Sequence, residues 1–307
     1  MLSLIEGNWL SDLCSEARLL LLLPLGFTLI FSLLRNNAAI AFCSTVLVSI
    51  ICYQTLFGQG HALDKCDLEI KAKPEQQISI LNFNTEYQHN NKIESFIAYC
   101  KKMDPDVVVL TEADEKWTRS MEKLEYPSTM SILRRPGFTV MSKYASRGAQ
   151  IYYPGGSQPP QVHILIDKNN QTINIVALHL SAMQTPIGYD FRKKEFAVLK
   201  DRLEKMPYPT IILGDTNSSN WSSSVKSFLK DANLKDTQAG FMTVPTWPAR
   251  SGKLIANVAV PPFVAIDNVF VSKDFDVLER RVGPALGSNH MPVYVKLQLN
   301  QKAKQQE

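Results

Sequence analysis

Two kinds of apolar pattern divide the chain. Near its start, residues 17–34 (ARLLLLLPLGFTLIFSLL) carry a single charge, Arg18, and residues 38–57 (AAIAFCSTVLVSIICYQTLF) carry none. Each run approaches the roughly 20 apolar residues with which a helix crosses a bilayer. Only a short polar turn at Arg35, Asn36 and Asn37 separates them, so the pattern predicts a transmembrane helical hairpin. A cleaved leader followed by a core helix fits less well, because Glu6, Asp12 and Glu16 stand where a leader needs basic residues.

Beyond residue 61 the pattern changes. Residues 62–76 are polar and read as a linker. Short β-rich runs then recur at 77–83, 107–111, 138–141, 148–153, 161–166, 173–179, 209–213, 264–271 and 292–298. Helical periodicity appears at 91–102 and at 191–205, where Phe196, Leu199 and Leu203 share a face, and a shorter helix is expected at 222–230. Strands interspersed with helices predict an α/β sandwich. The expected organisation is a membrane anchor over 1–61, the linker, one domain over 77–299 and a polar tail over 300–307.

Composition changes this picture little. The 307 residues carry a formal charge of +4, and the part after residue 61 is slightly more basic than the whole. Such an excess suits an anionic partner without identifying one. The five cysteines form no CxxC pair, which argues against a zinc site. Cys100 follows Ile93, Phe96 and Ile97 at helical spacing and reads as a buried thiol; whether it pairs with Cys66 is left open.

The candidate chemistry lies where apolar runs end. ILNFNTE ends in Asn84 and Glu86, DPDVVVLTEAD in Glu112, INIVALHLS in His179, and IILGDTN in Asp215 and Asn217. FVAIDNVFV holds Asp267 and Asn268 in mid-strand, and LGSNHMPVYV sets Asn289 and His290 before the last strand. Singly, these are ordinary strand-end polar residues. Asp267 is the exception, since a carboxylate among valines and phenylalanines needs a buried partner. Together they predict strand ends converging on one polar pocket.

In this order, these motifs resemble the endonuclease/exonuclease/phosphatase superfamily, whose marks are an Asn after the first strand, PDVVVLTE, a strand-borne His, GDxN, IDxVxV and a terminal SDHxP. The resemblance spans about residues 77–299. It implies a four-layer α/β sandwich of the deoxyribonuclease I-like kind and a hydrolase that cuts a phosphodiester with Mg²⁺ or Mn²⁺. It implies metal binding by Glu112, Asn84 and Asn289, catalysis by His290, Asp267, Asp215, Asn217 and His179, and substrate binding by Asn217, His179 and Arg192. His290 is expected as the general base, oriented by Asp267. Asn289 departs from the family's acid, and Asn268 stands where many relatives carry His or Tyr.

A nuclease-like activity is the first expectation. It would use a basic groove, for which Lys143, Arg147, Arg192, Lys193 and Lys194 are candidates. The alternatives are a phospholipid or sphingomyelin phosphodiesterase and a binding module with weakened catalysis. The expected partners are a phosphodiester, either nucleic acid or lipid headgroup, and a bilayer contacted through residues 17–57; no protein partner is implied. The apolar pair and TWPAR at 246–250 resemble a bacterial membrane-anchored branch, which implies the inner membrane with the domain on its periplasmic side. The basic residues point the other way, because Arg18, Lys65, Lys71 and Lys73 share the domain's side and Arg35 stands alone in the turn.

Overall fold

The computed structural model of the protein describes residues 8–56, 73–135, 137–154, 160–239, 244–249 and 261–300. Its helices are α1 (Trp9–Glu16), α2 (Leu22–Leu34), α3 (Ala38–Leu56), α4 (Ile93–Met103), α5 (Glu115–Ser120), α6 (Pro186–Leu203) and α7 (Ser223–Asp231). The first six strands are β1 (Gln77–Asn84), β2 (Val107–Thr111), β3 (Ser128–Ile132), β4 (Phe138–Ser142), β5 (Ala145–Tyr152) and β6 (Gln161–Lys168). They are followed by β7 (Gln171–His179), β8 (Thr210–Asp215), β9 (Leu234–Asp236), β10 (Asp267–Ser272), β11 (Phe275–Val282) and β12 (Val293–Leu299). Among the described residues these strands form two six-stranded sheets, ordered β11-β12-β1-β2-β4-β3 and β5-β6-β7-β8-β10-β9.

Side-chain alternation along each strand builds the layers. On β1, Ile78 and Ile80 face the second sheet and join Ile173, Ile175, Ile211, Leu213, Val293 and Val295 in the central core. Leu81 and Phe83 point the other way, onto Phe96 of α4 and Trp117 of α5. The second sheet does the same, turning Val176, Leu178 and Ile212 onto Phe196, Leu199, Val225 and Phe228 of α6 and α7. Central strands therefore bury both faces, which is why runs such as 107–110 and 211–213 are unbroken in their apolar character. The result is the expected two-sheet α/β sandwich with helices on both outer faces.

The order of chain directions places the chemistry. β1 runs parallel to β2, and β7 parallel to β8, while β12 and β10 run antiparallel to β1 and β8 respectively. The carboxyl ends of β1, β2, β7 and β8 therefore share a rim with the amino ends of β10 and β12.

The apolar N-terminal region departs from expectation. Residues 17–21 form turns, so the first run yields only the 13-residue α2, about 20 Å long against a hydrocarbon core of about 30 Å. Among the described residues, no helix is long and apolar enough to cross a membrane. The expected pair of spans, 17–34 and 38–57, is thus corrected to a helical hairpin, α2 against α3, preceded by a separate helix, α1, that packs on α7. Cys100 is a buried free thiol. Cys66, residues 62–72 of the expected linker and the tail beyond Asn300 lie outside the described residues.

The strand end at Gly214 admits no side chain. Its φ is +148°, and a Cβ there would collide with the Leu178 carbonyl oxygen of the neighbouring strand. Gly214→Ala is therefore expected to destabilise the domain by about 3 kcal/mol through combined strain and overpacking. Urea unfolding midpoints of the two proteins measure this, and equal midpoints would contradict it.

Candidate active site

The rim gathers residues from both sheets into one cleft. Asn84 ends β1 opposite Thr111, and the next residue after β2, Glu112, takes a left-handed φ of +54°. His179 ends β7 directly beside Asp215 at the end of β8, and Asp215 in turn pairs across the sheet with Asp267 at the start of β10. His290 arrives from the loop before β12, its backbone N–H donating to the Ser288 hydroxyl (3.0 Å) while that hydroxyl donates to the Asn84 carbonyl (2.7 Å). The loop is thereby tied to the strand end that it faces.

Three carboxylates meet here, and each has a specific neighbour. The Asn84 amide donates to Glu112 Oε1 and to Asp215 Oδ2, both at 3.0 Å, while its oxygen accepts from the Glu86 N–H. Asp215 Oδ1 accepts the Asn217 N–H at 2.8 Å. Asp267 is fully buried and holds His290 Nδ1 at 2.9 Å and 3.1 Å from its two oxygens. The other ring nitrogen, Nε2, lies 3.7 Å from Asp215 Oδ2. Burial alone would lower the His290 imidazole, but Asp267 and then Asp215 outweigh it and hold the group up at about 9. Burial raises the Asp215 carboxyl, against the opposing pull of His290. Burial lowers His179, so this ring is neutral near pH 7 and suited to ligation rather than to carrying charge.

A cation fits this donor set. Glu112, His179 and Asp215 each offer a ligand atom, all within 4.8 Å of one another. His179 Nε2 stands 3.7 Å from Glu112 Oε1 and 3.6 Å from Asp215 Oδ2. Two buried atoms beside them, Asn289 Oδ1 and His179 Nδ1, have no protein partner. Mixed carboxylate and imidazole ligands around clustered negative charge are what a divalent ion requires.

The structure sorts the expected site residues. Glu112, His179, Asp215, Asn217, Asn289 and His290 all line one cavity of about 370 Å³. Asn84 lies behind it and presents its amide nitrogen to the acids, so it braces Glu112 and Asp215 rather than offering them an oxygen ligand. Arg192, expected to bind substrate, is instead fully buried. Its guanidinium donates to the Asn217 carbonyl (3.2 Å) and to Ser224 Oγ (3.3 Å), which supports the site loop from behind.

The other basic candidates do not build a groove either. Lys143 pairs with Asp104 and Arg147 with Asp167, and neither they nor Lys193 and Lys194 line the cavity. Asn268 faces away into a buried network with Thr216, Ser218 and Gln238. The cavity is also lined by residues that were not among the expected site residues, namely Leu13 and Glu16 of α1, the adjoining Ala17, Trp247 of the TWPAR segment, Phe263 and Val264.

Comparison with known proteins agrees with this arrangement. The model of the Endonuclease/Exonuclease/phosphatase family matches residues 81–290. No curated protein sequence matches the chain. Among solved structures, the endonuclease/exonuclease/phosphatase from Beutenbergia cavernae DSM 12333 superposes with a TM-score of 0.59 at 18% identity, over 73% of this chain and 72% of its own. D. rerio TDP2, solved with a single-strand DNA product, gives 0.60 at 15% identity, covering 72% and 98%. A family protein from Bacteroides thetaiotaomicron gives 0.60 at 14% identity, covering 73% and 98%. At these identities the likeness concerns the fold.

The elevated His290 has a thermodynamic consequence in metal-free protein. An imidazole raised from an unfolded value near 6.5 to about 9 contributes stability in full below about pH 6.5 and loses it as pH rises through about 9. Stability in EDTA is expected to fall over that window by about 3 kcal/mol, and His290→Gln should flatten the slope. Denaturant titrations at half-unit pH steps test this, and an unchanged slope in the variant would remove His290 as the cause.

Proposed function

Because the chain belongs to the endonuclease/exonuclease/phosphatase family, we propose that it hydrolyses a phosphodiester bond, using Mg²⁺ or Mn²⁺ held at Glu112, Asp215 and His179. One observation carries this reading: the acid cluster and the His290–Asp267 pair face the same cavity. A divalent cation there supplies positive charge, which polarises the phosphoryl group and offsets the acids that otherwise keep His290 protonated.

The chain's own residues divide the remaining work. Asp267 accepts from His290 Nδ1–H, which fixes the tautomer and leaves Nε2 toward the cavity to take a proton from the attacking water. Asp267 then balances the imidazolium that forms, as a buried carboxylate does behind a catalytic histidine. Asn217, in a left-handed conformation held by bonds to Asp215 and to the Leu180 carbonyl, offers its second amide hydrogen to a phosphoryl oxygen. Asn84 keeps Glu112 and Asp215 together against their mutual repulsion.

A nuclease-like substrate is supported by the fold's likeness to D. rerio TDP2, which was solved with a single-strand DNA product. A lipid headgroup is supported by the apolar character of the cavity walls and by the hairpin. Leu23, Phe27, Phe31, Leu34 and Phe42 expose 60–80% of their surface, and so many exposed large apolar side chains on two paired helices suit an interaction surface. We propose that this face seats the protein in the bilayer of a bacterial inner membrane, on its periplasmic side.

Activity on a phosphodiester is expected to vanish in excess EDTA and return with Mg²⁺ or Mn²⁺, and Glu112→Gln should weaken activity and metal affinity together. His290→Ala should cost about 10²–10⁴-fold in rate, Asp267→Asn much of the same factor, and the double variant little more. Initial rates with calorimetric metal titrations decide this: full activity in EDTA, or additive losses, would end the mechanism.

For the hairpin, full-length protein should pellet with membranes and require detergent for release. A phosphatase fused after Glu307 should be active if the domain is periplasmic. Detergent-free recovery of full-length protein overturns the membrane seat, and a fluorescent but phosphatase-inactive fusion overturns the side.

A further inference from the structure

The helix ahead of the hairpin is built into the cleft. Asp12 and Glu16 are one turn apart on α1, with relative exposures of 0% and 9%. Burying two carboxylates is costly without dedicated donors, and one serine-rich segment provides them. Asp12 accepts from the Ser222 and Ser223 hydroxyls (2.8 and 2.6 Å) and from the Ser223 and Ser224 N–H groups (2.8 and 3.3 Å), at the amino end of α7. Glu16 accepts from the Ser218 hydroxyl (2.7 Å) and the Ser219 N–H (2.8 Å). Trp9 Nε1 donates to the Met183 carbonyl (2.8 Å), and the Arg18 guanidinium stacks 5.3 Å from the Trp221 ring centre. These contacts fix α1 to the loop that carries Asn217.

So latched, α1 brings Leu13 to the cavity together with Ala17, the residue just past its end, whose N–H donates to the Leu13 carbonyl (3.1 Å). Trp247, Phe263, Val264 and Ile266 line the same cavity. Trp247 and Val264 exchange backbone hydrogen bonds (2.9 and 3.0 Å), and the Phe263 ring lies edge-on to Trp247 at 5.8 Å. Glu112, His179, Asp215 and His290 border the same space, and among the described residues no lysine or arginine lines it. A groove for a nucleic-acid backbone neutralises successive phosphates with cations. Among the described residues, this cleft joins one phosphate position to a group of apolar lining residues.

Resting on the phosphodiesterase reading above, we propose that α1 is a selectivity wall of the active site, and that Leu13 packs against an apolar ester substituent, so that the preferred substrate is an amphiphilic phosphodiester with an alkyl or aryl group beside the scissile phosphate. The same chemistry can come from a bilayer phospholipid or from a small soluble ester. Asp12 and Glu16 are positioning residues that hold the wall in place.

The test uses full-length protein in detergent micelles with Mn²⁺ and two diesters sharing a leaving group, hexyl 4-nitrophenyl phosphate and methyl 4-nitrophenyl phosphate. Wild type is expected to prefer the hexyl ester in kcat/KM by about tenfold or more, because the added methylenes leave water. Leu13→Ser should shrink that ratio several-fold, chiefly through KM, and Asp12→Asn should shrink it in the same direction. Phosphatidylcholine vesicles and single-stranded and duplex oligonucleotides are compared alongside. Cleavage of vesicles assigns the source to lipid, and cleavage of the alkyl ester alone to a soluble ester.

Equal turnover of both esters by wild type, a ratio unmoved by Leu13→Ser, or preference for duplex DNA overturns the proposal while leaving the phosphodiesterase intact. Turnover of no diester overturns the phosphodiesterase instead. In that case calorimetry with monohexyl and monomethyl phosphate decides the wall: a hexyl preference lost in Leu13→Ser supports it, and equal affinities reject it.

Discussion

Three carboxylates, Glu112, Asp215 and Asp267, are held together at one rim of the sandwich, and the cost of keeping that charge out of water governs what surrounds them. Asn84 lies between the first two and donates to both. His290 answers the third, and in doing so becomes more basic than a free imidazole despite its burial. His179 remains neutral and offers a lone pair where a cation would sit. Each of these groups would be poorly placed alone. The site is a set of mutual compensations whose remaining excess of negative charge a divalent ion would complete.

The same physics is used a second time at α1, with the opposite outcome. Asp12 and Glu16 are buried as deeply as the site's acids, but serine hydroxyls and backbone N–H groups satisfy them. The Asp12 carboxyl, whose burial alone would raise it, is held below its ordinary value by those serines. Here the carboxylates serve as fasteners, and no unpaired donor atom is left to recruit an ion. Arg192 connects the two regions, touching the Asn217 carbonyl on one side and lying 3.8 Å from Asp12 on the other. The loop bearing Asn217 is therefore held from both directions.

This attachment gives the apolar hairpin a definite relation to the chemistry. Only residues 17–21 separate the latched helix from α2, whose outward face is almost wholly apolar. A surface of that kind and a cleft with apolar walls belong to one continuous stretch of chain. Loss of the hairpin alone and loss of α1 are thus different events: the second takes away part of the cavity lining.

The strands that carry the chemistry were legible because of where they lie. β1, β2, β7, β8 and β12 are interior strands, largely buried on both faces, and their runs rich in Val, Ile and Leu announce them. Polar residues at the ends of such runs stand out for the same reason, so Glu112, His179, Asp215, Asp267 and His290 could be named from sequence. The strands that sequence missed, β3, β9 and β11, are all sheet edges, half exposed and mixed in composition. Orientation was beyond the sequence as well. Whether Asn84 turns its nitrogen or oxygen to the acids, or whether Arg192 faces substrate or core, depends on neighbours more than 20 residues away. The sharpest case is α1, whose Asp12 and Glu16 look like ordinary surface charge until the serine segment some 200 residues later is brought against them. Local pattern determines which residues must leave water; only the packed chain decides which partners make it possible for a charge to follow them.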